Sequence, residues 1–114
     1  DQKFEATLFA EEEGHSNYHI IALILAYLYY IEPNDKGYTE VDLLKIAEEY
    51  HINRVTSLKS EQLSEVLNEM CDLNVITVME ENYRFATDGF RKYLGNQDKI
   101  EKSMSEYFEE AVTV

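Results

Sequence analysis

The sequence predicts a mainly α (α+β) fold: a winged helix-turn-helix with a two-stranded β-hairpin wing and an extra C-terminal helix. The first observation is the apolar spacing of three and four residues along positions 63–73, which is typical of one face of an α-helix. The second is the pair of β-rich runs at 75–79 and 83–87, separated by the polar turn 80–82. Further helical segments precede this helix and hairpin, and that order favours a winged helix.

The earlier part of the chain predicts a central helix. Residues 18–31 are apolar on almost every side, so we expect neighbours on two sides of this helix, and Ser16 or Asn17 is the predicted N-cap. Gly14 separates it from residues 1–13, which are interpreted as a short leading helix or the end of a linker. The loop chemistry of residues 32–37 ends the helix.

The next two helices are predicted from their caps. Thr39 and Asp42 have capping-box spacing at the start of a helix. Asn53 is expected to close that helix, residues 54–58 to form a loop, and Ser60 to cap a helix that ends near Asn74. The inner face of the first of these helices is predicted to consist of Val41, Leu44, Ile46, Ala47 and Tyr50.

Two more helices follow the hairpin. Thr87 and Asp88 are the predicted N-cap pair of a helix over 89–94, which Gly95 ends. Asn96 is expected to cap the last helix. Its apolar stripe is predicted to be Ile100, Met104, Tyr107, Phe108 and Ala111.

Length and composition favour one domain over residues 1–114, with 1–14 as a linker or a leading helix from an upstream domain. The 114 residues suit a single core, and the chain has only one cysteine, Cys71. There is no signal-peptide pattern, and the apolar segment 20–31 is too short to span a bilayer. We therefore expect a cytoplasmic protein without membrane contact.

The charge distribution predicts a protein partner rather than DNA. The net charge is −13, from 23 acidic and 10 basic residues, and this repels phosphate. The helix that would enter a DNA groove has acidic residues on its outer face, and the turn of the wing is acidic too. The predicted partner-binding residues are Glu61, Glu65, Glu69, Asp72, Glu80 and Glu81.

DNA binding remains the alternative hypothesis. Local cations could still neutralise phosphates on an acidic protein. The candidate DNA-binding residues are Arg54, Lys59 and Arg84, followed by the C-terminal cations Arg91, Lys92, Lys99 and Lys102.

Catalytic and metal sites have little support in the sequence. Glu11, His15 and His19 have four-residue spacing, which would place them on one face of a continuous helix. Gly14 and Ser16 indicate that the helix begins only after His15, and two histidines do not complete a zinc site. Acidic neighbours are expected to raise the pKa of Cys71, which disfavours a reactive thiol. No P-loop or nucleophile elbow is present. We expect a protein without enzymatic activity, metal or cofactor.

Aromatic residues are expected mainly in the core. The chain has nine tyrosines and five phenylalanines, and most fall on the apolar helix faces, so core packing is favoured over a base-stacking surface. The group Tyr27, Tyr29 and Tyr30 is the exception, because the helix that carries it is apolar all round. If these rings are partly exposed, they indicate a protein contact.

Several segments together resemble the C-terminal winged-helix region of large bacterial P-loop ATPases of the AAA/STAND type. The segments are residues 3–8, 19–23, 63–70, 74–76, 83–85 and 93–95. The resemblance covers most of the chain but only structural positions, and the Walker lysine and magnesium-binding residues of such ATPases have no counterpart here. It implies an ATPase upstream and a regulatory or partner-binding role for this domain.

Overall fold

Helix α1 (Ser16–Ile31) lies at the centre of the fold. The computed structural model describes residues 16–112, and the surroundings of side chains from 17 to 107. The leading helix or linker predicted for 1–14 lies outside the described residues. Residues 20–26 and Leu28 of α1 are all buried, and α1 contacts each of the other helices in the described part of the chain. This confirms the predicted central helix.

In the described part of the chain, five helices and one hairpin surround α1. They are α2 (Glu40–Glu49), α3 (Asn53–Thr56), α4 (Ser60–Asp72), β1 (Ile76–Met79), β2 (Asn82–Phe85), α5 (Asp88–Leu94) and α6 (Gln97–Val112). The described chain is therefore mainly helical with a two-stranded antiparallel sheet, as predicted for a winged-helix-like fold. None of these helices has both the length and the apolar character needed to cross a bilayer.

Helix α2 begins at the predicted capping box. The Thr39 amide donates to Asp42 Oδ2 at 3.0 Å, and the Asp42 amide donates to Thr39 Oγ1 at 3.3 Å. The predicted inner position of Val41 is wrong, because this side chain is 74% exposed. The predicted Ile46 and Ala47 are buried, and Leu43 is buried in place of Val41, at the three- and four-residue spacing that one helix face requires.

The connection from α2 to α4 differs in detail from the prediction. His51, with φ 54°, has the left-handed conformation predicted for Asn53, and Asn53 begins the one-turn helix α3 in place of a loop. Val55 of α3 is buried, which explains why this turn folds against α1. Lys59, not Ser60, is the N-cap of α4, and its amide donates to Gln62 Oε1 at 2.8 Å.

The hairpin forms where the two β-rich runs and the polar turn predicted it, with shorter strands. Ile76 pairs with Phe85 and Met79 with Asn82, so the turn consists of Glu80 and Glu81 alone. A third segment joins the hairpin: Tyr38 and Tyr83 exchange backbone hydrogen bonds of 2.8 and 2.7 Å. The wing is thereby fixed to the chain that enters α2.

The C-terminal helices follow the predicted caps. Thr87 is the N-cap of α5, although its side chain makes no capping hydrogen bond. Gly95 ends α5 at φ 106°, and Asn96 Oδ1 accepts from the Lys99 amide at 2.9 Å at the start of α6. On α6 the buried side chains are Ile100, Met104 and Tyr107. The side chains of the predicted Phe108 and Ala111 lie outside the described ones.

Candidate functional site

The acidic residues of α4 all lie on its solvent side. Leu63, Leu67 and Met70 are buried in the core, and Glu61, Glu65, Glu69 and Asp72 are exposed. With 3.6 residues per turn, Glu61, Glu65 and Asp72 point away from the buried face. We call these four exposed carboxylates the acidic face; the fold leaves them available to a partner.

One residue of the acidic face is held by a neighbouring helix. The Tyr18 hydroxyl at the start of α1 donates to Glu69 Oε2 at 2.7 Å. This bond and the nearby negative charge raise the pKa of Tyr18 to about 12, with burial adding to the effect. Glu69 is therefore oriented toward α1, at one edge of the acidic face.

The turn of the wing presents two more carboxylates in an unusual backbone conformation. Glu80 and Glu81 are exposed, with φ angles of 51° and 68°. Two successive positive φ values define a two-residue type I′ turn, which normally contains Asn-Gly, Asp-Gly or Gly-Gly because a Cβ is strained there. The Asn82 side chain donates to the Glu80 carbonyl at 3.0 Å and helps to hold the turn. Glutamate is thus present at two positions where the fold favours smaller residues.

Apolar side chains are exposed next to this acidic turn. On β1, Val78 is 49% exposed and Met79 is 69% exposed, although Ile76 at the start of the strand is buried. Because successive residues of a strand point to opposite faces, these two side chains place apolar area on both faces of the wing. The sequence predicts a contact at the wing from its two glutamates alone, and nothing in its pattern marks Val78 and Met79 as exposed.

The candidate DNA-binding cations are dispersed over three elements. Arg54 lies on α3, Lys59 at the start of α4 and Arg84 on β2, and all three are exposed. Arg84 Nη1 donates to the Asp35 carbonyl at 3.1 Å, so a backbone oxygen already holds its guanidinium. Of the C-terminal candidate cations, Lys92, Lys99 and Lys102 are also exposed, whereas Arg91 is half-buried.

Arg91 is half-buried between two aromatic rings. Its Cζ lies 4.4 Å from the ring centroid of Tyr29 and 5.7 Å from that of Tyr30. Its Nη1 donates to the Tyr30 hydroxyl at 3.2 Å, and that hydroxyl donates to the Gly95 carbonyl at 3.1 Å. The three tyrosines predicted to act as one group therefore lie in two places: Tyr29 and Tyr30 contact Arg91, whereas Tyr27 packs edge-on against Tyr50, with 5.3 Å between the ring centroids.

The metal and thiol candidates occupy separate places. His19 Nδ1 lies 2.7 Å from the Tyr107 hydroxyl, a contact between α1 and α6, and Glu11 and His15 lie outside the described residues. In the part of the chain that the structure describes, no group of three histidine, cysteine or carboxylate side chains could hold a metal ion. Burial, and then the charge of Asp72, raises the pKa of the half-buried Cys71 thiol. The direction agrees with the prediction, but burial is the larger cause.

Comparison with known proteins identifies no relative of this chain. No protein-family model matches the sequence, and neither the curated proteins nor the solved structures contain a significant match.

Proposed function

We propose that this domain is a non-enzymatic interaction module that binds a basic surface of a protein partner, or of an upstream domain of the same chain. The contact residues are the acidic face of α4 (Glu61, Glu65, Glu69 and Asp72) and the wing turn (Glu80 and Glu81). All six side chains are exposed, so a partner could reach each of them.

The observation that carries this proposal is the pair of glutamates in the type I′ turn. A left-handed residue with a Cβ costs about 1–2 kcal/mol, and two occur in succession at Glu80 and Glu81. Residues that oppose the local preference of the fold are concentrated at functional sites. The presence of two acidic side chains at these unfavourable positions supports a role in recognition, and the exposed Val78 and Met79 provide apolar area beside them.

Charge supports the nature of the partner. A net charge of −13 favours encounter with basic surfaces and opposes approach to nucleic-acid phosphates. The place of this domain as the cytoplasmic, C-terminal regulatory part of a larger P-loop ATPase follows from the resemblance described above, and it is part of the same proposal. The partner would then be another domain of that ATPase or a protein that it regulates.

The test is charge reversal on the acidic face. The variant Glu61→Lys, Glu65→Lys and Asp72→Lys is compared with the wild type by quantitative affinity purification from the source cells and by circular dichroism. We expect recovery of the specific partner to fall by about tenfold, because exposed ion pairs contribute about 0.2–1 kcal/mol each. The fold should be retained, since all three side chains are exposed.

The matched control changes the same number of charges elsewhere. Glu48, Glu49 and Asp98 are exposed and lie outside α4 and the wing, so their replacement by lysine should leave recovery of the partner unchanged. Equal losses in both variants would show a general charge effect and contradict the proposed surface. Salt-sensitive binding of mixed duplex DNA by the wild type in a mobility-shift assay would instead favour the alternative of a DNA-binding domain.

A further inference from the structure

A cavity opens between the wing and the central helix, away from the acidic face. Its volume is about 460 Å³, which falls in the usual range of small-molecule sites, about 300–1,000 Å³. Helix α1, the loop after it, the hairpin and α5 all contribute to its wall. Among the lining residues are Tyr29, Asp35, Arg84, Phe85, Asp88 and Arg91.

Two guanidinium groups in this wall are already oriented. Arg84 is held by the Asp35 carbonyl, and Arg91 by the rings of Tyr29 and Tyr30 and by a hydroxyl bond. A fixed guanidinium loses little entropy when it binds a carboxylate through two parallel hydrogen bonds. Both cations line the same cavity and come from different elements, β2 and α5.

Arg91 also has an unused donor. Its Nε is buried, and within residues 16–112 it has no hydrogen-bond partner. A buried donor without an acceptor costs about 1–3 kcal/mol, and more when the group is charged. The unpaired Nε leaves part of the positive charge of Arg91 uncompensated inside the fold, and an anion in the cavity that reaches the accessible part of this half-buried side chain would offset that charge.

The other lining groups restrict what the anion can be. Asp35 and Asp88 line the same cavity, and their negative charges oppose a doubly charged phosphate, whereas either carboxylate could accept a hydrogen bond from an ammonium group. Leu25, Tyr29 and Phe85 add apolar wall. A zwitterion with an apolar side chain satisfies all three kinds of surface.

We propose that this cavity binds a small organic carboxylate that also carries an ammonium group, namely an α-amino acid with an apolar side chain. The carboxylate pairs with Arg84 and Arg91, the ammonium group lies toward Asp35 and Asp88, and the side chain contacts Phe85. This site does not depend on the interaction proposed for the acidic face, and either proposal can fail without the other.

The test is a ¹⁵N-HSQC titration of the protein with defined probes at up to about 10 mM, which detects millimolar dissociation constants. L-phenylalanine and L-leucine are compared with phenethylamine, which lacks the carboxylate, with phenylpropionate, which lacks the ammonium group, and with inorganic phosphate. We expect saturable shifts of the amides around Tyr29, Thr77, Arg84 and Arg91 with at least one of the amino acids. Phenethylamine and phosphate should leave these amides unshifted, and phenylpropionate should bind more weakly.

Variants connect the shifts to the two arginines. Arg84→Gln and Arg91→Gln should each raise the Kd by about tenfold or more, because a hydrogen bond to a charged group is lost. Lys45→Gln, at an exposed position of α2 outside the cavity, makes the same change of charge and should leave the Kd unaltered. Arg84 is exposed, so its variant remains informative if Arg91→Gln does not fold.

Three results would overturn the proposal: no probe shifts the cavity amides, phosphate binds as tightly as the amino acids, or both arginine variants keep the wild-type Kd.

Discussion

The hydroxyl of Tyr18 donates to Oε2 of Glu69 at 2.7 Å and so joins the first turn of the central helix to the acidic face of α4. The bond connects residues 51 positions apart in the sequence, across two helices that also pack in the core. It fixes one of the four carboxylates of the acidic face, whose orientation the sequence pattern did not reveal. Its strength can be measured because the tyrosine itself titrates.

We expect Glu69→Gln to return the pKa of Tyr18 from about 12 toward 10, because the negative acceptor that stabilises the protonated phenol is lost. The measurement is an NMR titration of the Tyr18 ring carbons. Since the pKa is higher in the folded chain, the bond stabilises the fold fully below pH 10 and ceases to do so as the pH rises to about 12. Glu65→Gln, another exposed α4 position, should leave this pKa unchanged; an equal shift in both variants would contradict the assignment.

Gly37 is the point where the entry to α2 meets the wing. It has φ 100°, and a Cβ at this position would collide with the backbone carbonyl of Tyr83. We therefore expect Gly37→Ala to lower the free energy of unfolding by more than about 1 kcal/mol, measured by urea denaturation. The control is Gly89→Ala, an exposed position in the first turn of α5, where alanine should be neutral or stabilising. Similar losses at the two glycines would show that close contact with the wing is not the cause.

The parts of the fold that sequence predicted correctly are those with local signals. The capping box at Thr39 and Asp42 and the stop at Gly95 depend on residues close together in the chain, and so does the turn between the two strands. Val41 was misplaced because α2 contains apolar residues on more than one side, and only the position of α1 decides which side is buried. Local patterns fix elements, whereas tertiary packing selects their faces.

The cavity and its two arginines could not be predicted from local sequence signals. Tyr30 and Arg91 are 61 residues apart, and their contact depends on how α5 packs against α1. In the sequence, Tyr29 and Tyr30 are not distinguishable from Tyr27, and Arg91 is one of several C-terminal cations, because spacing alone does not show which of these side chains meet. The acidic face, in contrast, repeats along one helix, and its exposure followed from the burial of the opposite leucines.

The wing turn allows stability and recognition to be separated. We expect the double variant Glu80→Asn and Glu81→Gly to raise the free energy of unfolding by about 1 kcal/mol or more in urea, because Asn-Gly suits the type I′ geometry that both glutamates now adopt at positive φ. The same variant should weaken partner recovery in affinity purification, since it removes two carboxylates from the proposed contact.

The matched control for stability is the double variant Glu80→Gln and Glu81→Gln, which removes the same two charges but keeps long side chains at positive φ. A gain with Asn-Gly and none with Gln-Gln would attribute the stabilisation to left-handed backbone geometry and not to the removal of negative charge. A turn variant that is more stable and still recovers the partner fully would mean that the strained glutamates contribute nothing to recognition, and the wing would have to be removed from the proposed surface.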